Sequence, residues 1–232
     1  MNESLKESSP PLSPSRSYRL AYPWAKVKLQ AFIRCLAPRL RVEGTIHVPR
    51  RGGVLLTPNH ISDADPPFVG LCAPRPLWFM AKRGLWHQQG VMKYLGPVIS
   101  WMQAFPVDPD SADREALRYA EDLLEAKQAL VIFPEGRIAH NETIPLQPGA
   151  VMLALRAKVP VVPVGIAGTQ YVIPYGHLLP RPTLMPVAVV YGAPVRFDDL
   201  IKLPRRAARE AAAERLEKAM TTVRARAEEL AR

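Results

Sequence analysis

The chain has 232 residues, 48% of them hydrophobic, which is enough to bury one large core. Its 31 basic against 21 acidic residues leave a net charge of +10, which fits an anionic partner: a phosphate-bearing small molecule, an anionic membrane surface or nucleic acid. The two cysteines, Cys35 and Cys72, lack metal-ligand spacing and read as buried, reduced thiols, and no run of about 18 apolar residues provides a spanning helix.

Residues 1–17, MNESLKESSPPLSPSRS, are rich in Ser and Pro without the apolar centre of a secretion signal, and read as a disordered tail. An amphipathic helix is predicted over 18–40. Trp24, Val27, Ala31 and Cys35 fall near one face of it, with Lys26, Lys28, Arg34 and Arg39 supplying positive charge. Two compatible readings stay open: a helix lying in an anionic membrane interface, and a helix packed on the core.

From Gly53 onward short apolar runs alternate with helical periods. Strands are predicted over 54–56, 77–80, 104–107, 129–133, 161–166 and 184–191. Helices are predicted from Pro66, around 91–95, over 112–127 with Ala116, Leu117, Ala120 and Leu124 at core spacing, and over 149–157. A last helix over 205–232 carries Leu216, Met220, Val223, Ala227 and Leu230 on a narrow stripe. Its interspersed charges of both signs read as a solvated face and not as a nucleic-acid patch. The alternation predicts an α/β fold: one domain over 41–232, with a central mostly parallel or mixed sheet flanked by helices.

The stretch TPNHISDADPPF, residues 57–68, places a histidine and two aspartates between an apolar run and two prolines. His60 and Asp65 would lie on different faces of a continuous helix, and meet only if the segment bends. Pro66 suits a first helical turn and so supplies the bend. An imidazole with one nitrogen held by a carboxylate keeps the other as a proton acceptor. Other readings compete on the residues alone: Asp65 as a helix cap with His60 a surface residue, or His60, Asp63 and Asp65 as a sparse cation site. Further on, in FPEGR at 133–137, Glu135 suits hydroxyl groups, Gly136 allows close backbone approach and Arg137 suits a phosphate, although such a sequence is also an ordinary turn.

Four stretches in order resemble the signatures of the glycerol-3-phosphate and lysophospholipid acyltransferase family, nearest its 1-acylglycerol-3-phosphate members. They are Asn59-His60 through Asp65 (N-H-x-x-x-x-D), Met80-Ala81-Lys82 with Phe105-Pro106-Val107-Asp108, Phe133-Pro134-Glu135-Gly136, and the apolar run 159–164. The resemblance covers roughly residues 40–195. It implies acyl transfer from acyl-coenzyme A or acyl-carrier protein to the free hydroxyl of 1-acylglycerol 3-phosphate or a related lysophospholipid, giving phosphatidic acid, with no cofactor or metal. It implies further that His60 is the general base, that Asp65 orients it, that Lys82, Glu135, Gly136 and Arg137 serve the acceptor, and that the protein is cytoplasmic and peripheral on the inner face of the cell membrane. Two departures bear on the acceptor: Arg137 follows Gly136 directly, and Pro109 stands where an arginine is common. Arg114 is the substitute cation, against its reading as a plain helix-surface residue. The alternatives are a metal-dependent transferase or hydrolase using His60, Asp63 and Asp65, and a non-catalytic lipid binder.

Overall fold

A computed structural model describes residues 11–87, 99–108, 113–139, 144–177 and 179–232. Seven strands, β1 (Leu40–Glu43), β2 (Val54–Pro58), β3 (Trp78–Lys82), β4 (Ala104–Val107), β5 (Ala129–Val131), β6 (Val161–Ala167) and β7 (Val187–Tyr191), form one sheet. Their order is β1-β7-β6-β2-β5-β3-β4. All neighbouring pairs are parallel except β6 and β7. The exception has a local cause. A parallel return needs a crossover, usually a helix, whereas the proline-rich link between β6 and β7 holds only the single turn Thr169–Tyr171 among its described residues.

Among the described residues five helices cover the sheet: α1 (Arg16–Leu36), α2 (Asp65–Cys72), α3 (Arg114–Glu125), α4 (Pro148–Arg156) and α5 (Arg205–Leu230). Alternate strand residues feed opposite layers. Val54 and Leu56 of β2 enter the core shared with α1 and α2, while Leu55 enters the one shared with α3, α4 and α5. Ala208, Ala212, Leu216, Met220, Val223 and Ala227 form the buried stripe of α5. That helix crosses β6 so closely that a Cβ on Gly165 would lie 2.0 Å from the Val223 carbonyl oxygen.

The sequence-based elements recur with shifted ends. α1 starts at Arg16, inside the expected tail, because Ser15 accepts the Tyr18 N–H at 3.1 Å and caps it. α3 starts after Asp113, which accepts the Ala116 N–H at 2.9 Å. β1 was not expected. The helix predicted around 91–95, and Pro109, lie outside the described residues.

Helix α1 presents two apolar faces. Leu29, Ile33 and Leu36 pack inward, Gln30 Nε2 donates to the Leu71 carbonyl at 2.6 Å, and Lys26 Nζ donates to that of Ala73. Opposite them Leu20, Trp24 and Val27 stand exposed, with Phe32 and Cys35 also on the surface. Cys35 therefore departs from the expected buried thiol, since it falls on the outward face. Cys72 is partly buried, and burial pushes its thiol up to about 12. No helix among the described residues is long and apolar enough to cross a membrane.

Candidate active site

Strand β2 ends at Pro58, and the chain bends through Asn59–Ala64 before α2 begins with Asp65 and two prolines. Asp65 is completely buried. Its Oδ2 accepts from His60 Nδ1 at 2.9 Å and from the backbone N–H groups of Ile61 at 2.7 Å and Ser62 at 2.9 Å. Its Oδ1 accepts the Thr169 hydroxyl at 2.5 Å. The carboxylate thus turns back into the preceding loop. It does not cap α2, whose N-cap position is Ala64 without a side-chain bond. Four donors around one buried anion offset its desolvation. With Nδ1–H given to Asp65, His60 Nε2 carries the free lone pair.

The rest of the loop is equally determined. Asn59 Oδ1 accepts the Ile166 N–H at 2.7 Å and its Nδ2 donates to the Ile166 carbonyl at 3.1 Å, fastening the end of β2 to β6. Ser62 Oγ donates to the Ile173 carbonyl at 2.8 Å. The backbone of His60 is held on both sides by the segment after β5: its N–H donates to Glu135 Oε2 at 3.1 Å, and its carbonyl accepts the Ala139 N–H at 2.7 Å. The ring of Phe133 lies against the imidazole at 4.2 Å between centroids. Burial raises the Glu135 carboxyl above its ordinary value, opposed by the His60 N–H. One oxygen of Glu135 is thereby committed to the histidine loop, a duty in addition to the acceptor contact expected from sequence. Gly136 adopts φ +70°, and the Gln147 side chain would lie 3.0 Å from a Cβ there, so the turn requires glycine.

Because β2, β5 and β3 are adjacent and parallel, His60, the 133–137 turn and Lys82 emerge at one edge of the sheet. With about 4.8 Å between strands, Lys82 stands about 10 Å along that edge from the end of β2. Arg137 and Lys82 are both exposed there. Arg114 begins α3 and lines a cleft of about 590 Å³ with Arg118, Tyr119 and Asp122. Asp63 is exposed while Asp65 is buried, and among the described residues no three His, Cys, Asp or Glu side chains come together as a metal group. Thr169, Ser62 and the bridging role of Asn59 were missed from sequence. Their partners lie more than 100 residues away along the chain, with no local pattern to announce them.

The model of the family described as Acyltransferase matches residues 39–167, more than half of the chain. The chain belongs to the acyltransferase family. It is 29% identical over 163 residues to the 1-acyl-sn-glycerol-3-phosphate acyltransferase of Limnanthes douglasii, a match covering 69% of this chain and 56% of that protein. It is 28% identical over 130 residues to the Bacillus subtilis enzyme of the same name, covering 56% of this chain and 63% of that one. The chain thus spans less than two thirds of the length of these relatives. Its fold is that of the crystal structure of the 1-acyl-sn-glycerophosphate (LPA) acyltransferase PlsC from Thermotoga maritima, with TM-score 0.63 and 23% identity over 91% of this chain and 85% of the other. The matched region of this acyltransferase-family chain runs from just before β1 to the end of β6, and so contains His60, Asp65 and Glu135 but stops short of Thr169.

Proposed function

We propose that the protein transfers a fatty acyl group from a thioester, acyl-coenzyme A or acyl-carrier protein, to the free hydroxyl of 1-acylglycerol 3-phosphate or a closely related lysophospholipid. The observation that carries this reading is the buried Asp65 carboxylate, saturated by four donors, one of them His60 Nδ1. His60 Nε2 takes the proton of the acceptor hydroxyl as its oxygen attacks the thioester carbonyl. The tetrahedral intermediate then expels the thiolate, which leaves with the proton from the imidazolium. Asp65, bonded to Nδ1, stabilises that imidazolium. General-base help of this kind is worth about 10² to 10⁴ in rate. Lys82 and Arg137 supply cations for the acceptor phosphate at the same edge, and Glu135 holds the His60 backbone in register.

The proposed place of action is the inner face of the cell membrane; contact with a membrane surface is supported by the outward stripe of α1, with Lys28 and Arg34 flanking Leu20, Trp24 and Val27. The test is thiol release from acyl-coenzyme A, and from acyl-carrier protein, against a panel of lysophospholipids with and without chelator. His60→Ala is expected to lose at least about 10²-fold in turnover with little change in melting temperature, and Asp65→Ala to lose as much and also to melt lower, because it strands buried donors. Near-wild-type turnover in either variant overturns the assignment. Activity lost to chelator and restored by a divalent cation would replace it with the metal-dependent alternative.

A further inference from the structure

The connection between β6 and β7 carries exposed apolar side chains among its described residues. Leu179 and Leu184 are 76% and 74% exposed, and Met185 and Tyr171 are also on the surface. Isolated exposed leucines need no explanation, but these are gathered on one connection that runs beside the end of α1. The Thr183 N–H donates to the Leu36 carbonyl at 2.7 Å, Arg39 donates to the Leu184 carbonyl at 3.3 Å, and the Val187 N–H donates to the Arg39 carbonyl. The connection is thereby fastened to the C-terminal end of α1, the helix that carries the outward stripe.

Charge selects the partner. No Asp or Glu occurs between Glu7 and Glu43, nor between Glu142 and Asp198, so both segments of this surface are free of acidic residues. Over the same spans stand Arg16, Arg19, Lys28, Arg34 and Arg39 from around α1, and Arg181 from the connection. Apolar side chains among cations, with no acid, fit the boundary of an anionic bilayer. The connection is also fastened to the candidate site. Thr169 at its start donates to Asp65, and the Ile173 carbonyl accepts the Ser62 hydroxyl.

We propose that the β6–β7 connection is a second lipid-contacting element, which with α1 seats the His60 loop at the surface of an anionic bilayer. This rests on the reading of the protein as an acyltransferase working at a membrane. The experiment measures partition of the full chain onto phosphatidylglycerol-containing vesicles by co-sedimentation. A Leu179→Ser/Leu184→Ser/Met185→Ser variant is compared with Trp24→Ser/Val27→Ser on α1. The triple variant is expected to lose at least about tenfold in partition. It should keep wild-type turnover with a short-chain lysophosphatidate dissolved below its aggregation threshold. Wild-type partition in the triple variant, with loss confined to the α1 variant, overturns the proposal and leaves the membrane reading standing. Wild-type partition in both variants ends both. Unchanged vesicle binding with loss of self-association in ultracentrifugation would also overturn it, making the patch a contact between copies of the chain. Absence of turnover on any lysophospholipid, with partition still lost in the triple variant, would fault the acyl-transfer reading and spare the docking surface.

Discussion

Thr169 touches no reacting atom, yet its hydroxyl donates to Asp65 Oδ1 in a site where both side chains are completely buried. It acts as a positioning residue. Thr169→Val leaves the shape nearly unchanged and removes the donor, and an acceptor stranded in a dry environment costs about 1–3 kcal/mol. The expected loss is about tenfold to a hundredfold in kcat with little change in KM. Thr169→Ser, which keeps the donor, is expected to restore kcat. A purely structural role would lower activity only through the unfolded fraction, so turnover per folded molecule, read beside the melting temperature, separates the two.

At the level of elements, the sheet and its covering helices were readable because unbroken apolar runs such as Val54–Leu56 and Val161–Ile166 suit strands covered on both faces. The stripe Trp24, Val27, Ala31, Cys35 was a true face of α1, but periodicity does not say whether a face turns inward or outward; the packing of Ile33 and Leu36 decided that. β1 escaped because Leu-Arg-Val-Glu is short and half polar, and becomes a strand only where β7 offers a parallel partner. The His60–Asp65 pair could be read locally, since Pro66 and Pro67 mark the bend. The distant supports at Ile166, Thr169 and Ile173 could not. Close packing of α5 on β6 was equally silent in sequence, because it depends on what Gly165 lacks. Gly165→Ala would drive a Cβ to 2.0 Å from the backbone of Val223, which must shift. A loss of about 2–3 kcal/mol is expected in denaturant unfolding. Gly84→Ala, where an added Cβ meets nothing within 4 Å, serves as the control and is expected to stay within about 0.5 kcal/mol of wild type.

Across the whole molecule the net charge of +10 is unevenly spread, a property the total conceals. On α5, cations and acids pair: Arg206 with Glu210, Arg224 with Glu228, Arg226 with both Glu43 and Glu229, and Arg215 with Asp199. Around α1 and the β6–β7 connection the sequence supplies cations without acids, so the excess collects on the side that carries the exposed apolar stripe. Attraction to an anionic surface should therefore act with, and be separable from, apolar insertion. The screening length shortens from about 10 Å at 0.1 M salt to about 3 Å at 1 M. Each cation near a charged leaflet contributes about 1 kcal/mol, a share of which is lost on screening. Partition onto phosphatidylglycerol-containing vesicles is expected to fall at least about tenfold over that range, while partition onto purely zwitterionic vesicles, already weaker, changes little. Turnover of a monomerically dissolved acceptor provides the internal check, since salt that merely damaged the protein would depress it in parallel. Anionic-vesicle binding that ignores salt would mean that the apolar stripe holds the protein unaided and that the uneven charge serves the phosphorylated substrate instead.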